Sequence, residues 1–269
     1  GPLAWVWVRN KQASTTRRLQ ALTLLTLFLT FDLVMFGAFT RLTDSGLGCP
    51  DWPGCYGSAS PVGASAHISA AQNAMPSGPV THGKAWIEMI HRYLATGVGV
   101  LILVLAAASW AVRRRAAPSR APAVAVNPWL ASLTLVWVCI QGAFGALTVT
   151  MKLFPAIVTL HLLGGVVLQA LLCMLAVRYH QAHQGAPPVT IDPGGRTLLW
   201  VTSALVWIQI ALGGWVSTNY AVLACTEFPM CQASWWPPMN FAQGFEIWRE
   251  LGFTSAGEHI SFEALTAIH

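Results

Sequence analysis

The sequence predicts an all-α polytopic membrane protein, organised as tandem pseudo-symmetric four-helix bundles, the second incomplete in this chain. Three observations predict it. Only 9% of the 269 residues are charged and 55% are hydrophobic, with 13 Trp, whereas soluble domains carry about a quarter charged residues. The apolar residues fall in blocks of about twenty, the length that crosses a bilayer's hydrocarbon core. A cysteine-bearing segment recurs after two of those blocks. The same balance excludes a disordered chain and argues against a soluble enzyme. It also excludes nucleic acid as a partner, because the formal charge of +5 is not gathered on any aromatic-interleaved patch.

Taken in order, residues 1–19 form a cytoplasmic N-terminal segment, and the first span covers 21–40. Arg17 and Arg18 before it resemble the start of a signal peptide. The block is too long for one and no small-residue cleavage site follows, so it reads as a retained span. Further spans cover 93–112 (extended back to about 85 by weaker residues), 128–150, 156–177 and 197–217. Their internal glycines do not argue against helices, since glycine is common in membrane spans. A sixth begins near Glu263, just before the chain stops at His269.

Basic residues set the sidedness. Arg9, Lys11, Arg17 and Arg18 precede the first span; Arg113, Arg114, Arg115 and Arg120 separate the second and third; Arg178 and Arg196 separate the fourth and fifth. The opposite loops hold only Arg41, Lys84, Lys152 and Arg249. The positive-inside rule therefore puts the N-terminus in the cytoplasm and turns the loops 41–84 and 218–262 outward. Four of the six cysteines lie there, as Cys49/Cys55 and Cys225/Cys231. An outward compartment is oxidising, so both pairs are disulfide candidates. Cys139 and Cys173 lie within spans and read as small buried hydrophobes.

The two pairs belong to a repeat. Residues 37–55 (GAFTRLTDSGLGCPDWPGC) and 213–231 (GGWVSTNYAVLACTEFPMC) align without a gap, matching Gly37 to Gly213, Leu47 to Leu223, Asp51 to Glu227 and Pro53 to Pro229. Both segments leave an outward-going span. The pattern predicts a duplicated four-helix unit with parallel halves about an axis along the membrane normal. The first half is 20–178, a cytoplasmic linker covers 179–195, and 196–269 starts the second half. A complete second half needs three more spans, which predicts a gene product continuing past His269 or a truncated chain. The opening Gly1-Pro2 reads as processing or a tag remnant.

Ionisable residues within spans are costly and functional by default. They are Asp32, Glu88, His91, Arg92 and His161. His91 lies seven residues after Lys84 and His161 six after Pro155, which at 1.5 Å per residue puts both imidazoles roughly 10 Å below the outer surface. Two histidines at matched depth on parallel helices can hold one iron between them. A lone His is as well explained by a hydrogen-bonded core; the matched depth favours ligation. Zinc lacks further ligands at that depth, and the C-x-x-C-H pattern of covalent haem is absent, so the pattern fits a non-covalently bound porphyrin. Glu88, three residues before His91, shares its helix face and suits proton transfer. Its bland reading is a helix-start acid favoured by the dipole. Arg92 points elsewhere on the helix and pairs with an acid such as Asp32 or a haem propionate, for which Arg41 and Lys84 also compete. His67, His82, His180, His183 and His259 are assigned to loops, and Asp51 and Glu227 to shaping theirs.

Together TRLTDSGLGCPDWPGC (40–55), EMIHR (88–92), HLLGG (161–165) and the second C-x5-C loop resemble the haem A synthase family of cytochrome oxidase assembly, from about residue 20 to the end. The resemblance implies oxidation of a ring methyl of haem O to the formyl group of haem A. It also implies eight spans in two halves and a haem b cofactor beside the substrate haem. Carried over, His91 and His161 are axial ligands of haem iron, Glu88 is the catalytic carboxylate, Cys49 and Cys55 are the activity-linked disulfide, and Cys225 and Cys231 a structural one. His269 aligns with Glu88 rather than His91, so it is left out of the ligands and the second haem site is incomplete here. The implied partners are haem O, the haem O synthase supplying it, an electron donor, the lipid bilayer and a second copy in a homo-oligomer. The implied location is the inner membrane of a cell or mitochondrion. Two other readings compete: a bis-histidine b-type electron carrier, and a haem-delivery protein without catalysis. A carrier has no need of Glu88 or of a cysteine loop, and the family resemblance favours the enzyme.

Overall fold

The apolar blocks become helices because a bilayer offers the backbone no hydrogen-bond partner but itself. The computed structural model describes Ala4 and residues 8–115, 127–185 and 189–269. Arg120, used above for sidedness, and Gly1 and Pro2 lie outside the described residues. Among the described residues, five helices are long and apolar enough to cross a membrane: α1 (Thr15–Leu42), α3 (His82–Arg115), α4 (Pro128–Thr150), α5 (Pro155–Gln184) and α6 (Pro193–Thr218). Shorter ones are α2 (Ser65–Ala74), α7 (Phe241–Gly244) and α8 (Phe262–Ile268). The described residues contain isolated bridges but no strand.

Four of the long helices overrun the apolar blocks that predicted them, because capping and intrahelical bonds carry them onward, whereas α4 matches its block of 128–150. The Ser14 side chain accepts from the Arg17 amide to start α1, and Asp192 accepts from the Gly195 amide to start α6, with Pro193 in its first turn. These extensions correct the loop assignment of several histidines. His180 and His183 lie in the last turns of α5, His82 opens α3, and His67 sits in α2, a helix of small residues that no apolar block announces. Asp32 is exposed on α1 and is not the partner of Arg92.

The chain divides into two compact units. The first comprises Gly1–Ala143 and Gly164–Thr190; the second, Phe144–Leu163 and Ile191–His269. In the first, α1 packs along α3. The core gathers Leu19, Val98, Ile102, Leu105, Ala131, Leu168, Leu172 and Tyr179. Thr23, Thr26 and Thr30 are buried on α1 with their polar groups satisfied, since each hydroxyl donates to the carbonyl four residues back at 2.7–2.8 Å. Between helices, Ser109 and Tyr179 share a 2.6 Å bond, and Trp137 Nε1 donates to the Gly164 carbonyl at 2.8 Å. Such bonds average about 0.6 kcal/mol in a membrane, so close packing at small residues carries more of the association. Gly164 shows this: a Cβ there would collide with the Gln141 side chain.

The second unit takes the end of α4 and the start of α5 because Phe154, Ala156 and Ile157 pack with Trp215, Ala221 and Ile268. Thr159 and Thr218 hydroxyls meet at 3.1 Å, and Trp215 Nε1 donates to the Gly244 carbonyl at 3.0 Å. Arg249 is buried there. Its guanidinium donates to Asn219 Oδ1 at 2.5 Å and lies 5.8 Å from the centre of the Trp215 ring.

Candidate functional site: the first cysteine loop and the buried acid

In the first unit the loop after α1 builds a tight structure from a few residues. Cys49 and Cys55 are disulfide-bonded, and Cys55 and Ser58 exchange backbone hydrogen bonds at 2.8 and 2.9 Å. The two residues between them take positive φ, 48° at Tyr56 and 71° at Gly57. This is the paired left-handed turn that suits a tight reversal. Asp51 offsets the strain at Tyr56: its carboxylate accepts from the Tyr56 amide at 2.6 Å and the Gly57 amide at 2.7 Å. Asp51 therefore shapes the loop. The preceding Gly48 abuts the Lys84 and Ala85 backbone so closely that a Cβ has no room. Both sulfurs are thus pressed against α3, fully buried with Ile68, Ala85 and Met89.

Glu88 stands where α3 meets this loop. It is 4% exposed; its Oε2 accepts from the Cys49 amide at 2.7 Å and its Oε1 pairs with Arg92 Nη2 at 2.5 Å. Arg92 Nη1 lies 2.9, 3.3 and 2.5 Å from the carbonyl oxygens of Asp51, Pro53 and Gly54. This corrects the expectation that Arg92 points away from Glu88. The i,i+4 spacing turns it back, and the loop carbonyls fill its remaining donors. Lys84 is engaged with Asp44 at 3.1 Å and the Gly78 carbonyl at 3.3 Å. Arg41 lies half-buried in the last turn of α1. His82 Nε2 meets Ser69 Oγ at 2.9 Å and its amide donates to Gln72.

His91, one turn beyond Glu88, lies parallel to Phe36 with ring centres 6.3 Å apart. A Cβ on Gly37 would stand 3.1 Å from its Cε1. His161 belongs to the second unit. Its Nδ1 is buried with no hydrogen-bond partner among the described residues, and a Cβ on Gly145 would lie 3.5 Å from its Cε1. Each imidazole is thus cradled by a glycine of its own unit. An imidazole whose buried nitrogen is unused, as at His161, fits an axial ligand better than a satisfied core residue. Sequence reasoning missed the glycine cradles, although Gly37 is one of the matched positions of the repeat.

In the second unit Cys225 and Cys231 are also disulfide-bonded. Cys231 and Ser234 exchange backbone bonds at 2.9 and 3.0 Å, Gln232 and Ala233 have φ of 53° and 57°, and Glu227 accepts from the Ala233 amide at 3.3 Å. The Cys–Ser backbone bridge, the pair of positive-φ residues, an acid-to-amide bond and a cis bond before the proline (Pro53 and Pro229) recur at aligned positions. His269 Nδ1 lies 3.1 Å from the Ala221 carbonyl oxygen, and His259 stacks on Phe253 at 4.7 Å.

Five apolar helices, a duplicated disulfide loop, and a buried acid one turn from a histidine define a polytopic, all-helical membrane protein with a built polar site. The sequence profile of a family described as cytochrome oxidase assembly protein matches residues 20–263. The heme A synthase of Shewanella oneidensis is 39% identical over 242 residues, covering 89% of this chain and 67% of the relative. That of Halalkalibacterium halodurans is 24% identical over 224 residues, covering 82% and 67%, and that of Symbiobacterium thermophilum 26% over 226, covering 81% and 65%. The chain thus spans about two thirds of the length of these relatives. No solved structure matches it. The chain belongs to the haem A synthase family of cytochrome oxidase assembly proteins.

Proposed function

We propose that this chain is a haem A synthase in which His91 and His161 serve as axial ligands of haem iron and Glu88 moves protons. Family membership makes it a membrane oxidoreductase that converts haem O to haem A. The observation that carries the site assignment is Glu88: a carboxylate buried on the face of α3 that also bears His91, with each oxygen held by a donor. A carboxylate so held keeps one position, which proton transfer to or from a reacting group requires. The bound porphyrin supplies the reacting methyl and, through its iron, the redox chemistry. The imidazoles fix its position, the glycines opposite them leave room for the rings, and the apolar helices exclude bulk water.

The same reading takes haem O from a haem O synthase, exchanges electrons with a separate redox partner, and admits a homo-oligomer. It places the chain in the inner membrane, N-terminus in the cytoplasm and cysteine loops outside, as the Arg113–Arg115 cluster at the end of α3 supports. Haem b is a different matter. His259 stacks on Phe253 and His269 Nδ1 lies against the Ala221 carbonyl, so these two histidines do not form a second axial pair among the described residues. The test is co-expression with a source of haem O, followed by chromatography and mass analysis of the extracted haems. Haem A or its hydroxylated precursor is expected from the parent chain, and bound but unmodified haem from Glu88→Ala. Unmodified haem from both would leave a b-type carrier or a haem-delivery protein in its place.

A further inference from the structure

The two cysteine loops share a backbone, yet their disulfides sit in different surroundings. Cys49 and Cys55 are both 0% exposed, whereas Cys225 and Cys231 are half-buried. The internal bonds of the loops do not explain this, since the Cys–Ser bridge, the positive-φ pair and the acid-to-amide bond occur in both. The first loop is fastened to α3. In the first loop the Cys49 amide is held by Glu88, and the carbonyls of Asp51, Pro53 and Gly54 converge on Arg92, while Glu88 and Arg92 hold each other.

We infer that Arg92 is a positioning residue, whose guanidinium clamps the Cys49–Cys55 loop onto α3 and fixes the Glu88 carboxylate, thereby shielding that disulfide. The chemistry suits the residue type. A planar guanidinium has donors enough to meet a carboxylate on one edge and converging carbonyls on another, which an ammonium cannot match in geometry. Both side chains of the pair are largely withdrawn from solvent, 12% and 5% exposed, so neither charge has water as a ready substitute. The clamp therefore joins three things in one hydrogen-bonded unit: the disulfide loop, the acid, and the turn of α3 leading to His91. The consequence for turnover rests on the function proposed above; the shielding of the disulfide does not.

The experiment uses the full chain in lipid nanodiscs, and two readouts are independent of catalysis. In the first, tris(2-carboxyethyl)phosphine reduces the disulfides and differential alkylation follows each by mass spectrometry. The Cys49–Cys55 bond should be reduced about tenfold or more slowly than Cys225–Cys231, because reduction follows access to the sulfurs. Arg92→Gln should erase most of that gap and Arg92→Lys should restore part of it. The second needs no variant: hydrogen exchange of the peptide around Cys49 should run slower than that around Cys225. Equal exchange in the parent chain, or an unchanged gap in a folded Arg92→Gln protein, overturns the inference. Haem O turnover in Arg92→Gln should fall about tenfold with haem still bound, as expected for a misplaced acid. Unequal exchange and an erased gap, but no haem A even from the parent chain, would sink the functional reading and leave the clamp standing.

Discussion

Glu88 and the two histidines are legible in the sequence alone, because ionisable groups in an apolar block are rare enough to mark themselves. Their neighbours are not. The contacts of Gly37 and Gly145 with the imidazoles depend on which helices meet, and a lone glycine in a membrane span carries no such message. Their distances separate two expectations. A Cβ at Gly37 would stand 3.1 Å from the His91 ring, tight enough that the imidazole must shift, whereas 3.5 Å at Gly145 is ordinary contact. Gly37→Ala should therefore lower haem occupancy, with a strain of about 1–3 kcal/mol, and Gly145→Ala should leave it near that of the parent. The haem-to-protein absorbance ratio of the purified variants measures this; the reverse ranking would remove Gly37 from the proposed haem pocket. Arg92 teaches a related lesson. Its i,i+4 spacing from Glu88 permits the pair, but the loop carbonyls that complete its shell are some forty positions away in sequence.

At the level of the element, the five spans can be read from block length alone, because the bilayer imposes its thickness on any helix that crosses it. The ends are less legible, since caps such as Ser14 and Asp192 act beyond the apolar core. The helix α2 escapes notice for a physical reason: its small residues bury only Ile68 and show no apolar block. Helix association depends on close approach, which makes small residues sensitive. Gly164→Ala would drive a methyl into the Gln141 side chain beside the Trp137 bond to the Gly164 carbonyl. We expect a loss of about 1–3 kcal/mol from overpacking. In detergent this should lower the thermal midpoint, and a midpoint at or above the parent's would show that Gln141 has room to move. Tyr179→Phe, which removes only the hydroxyl bonded to Ser109, should cost less, about 0.6 kcal/mol on average for such bonds.

For the whole molecule, sidedness and duplication are the properties that matter. Sidedness rests on the basic residues, and it predicts the labelling of two positions in intact cells. Ser77→Cys, between α2 and α3, should react with a membrane-impermeant maleimide from outside, and Gln184→Cys, at the end of α5, only after lysis. Reversed labelling would invert the proposed topology. The duplication is visible as an alignment of 19 residues in each half, 37–55 with 213–231, and it reappears as matched turns, bridges and acid-to-amide bonds. By itself the sequence determined the membrane class, the spans, the cysteine pairing and the short set of ionisable residues within the spans. Each follows from composition, period or local spacing, which a chain carries in one dimension. Only the tertiary structure decided which partner each charge takes, which glycine cradles which imidazole, and how the Cys49–Cys55 disulfide is sealed against α3. Those depend on contacts between segments far apart in the chain, and pairwise approach in three dimensions leaves no periodic trace in the order of residues.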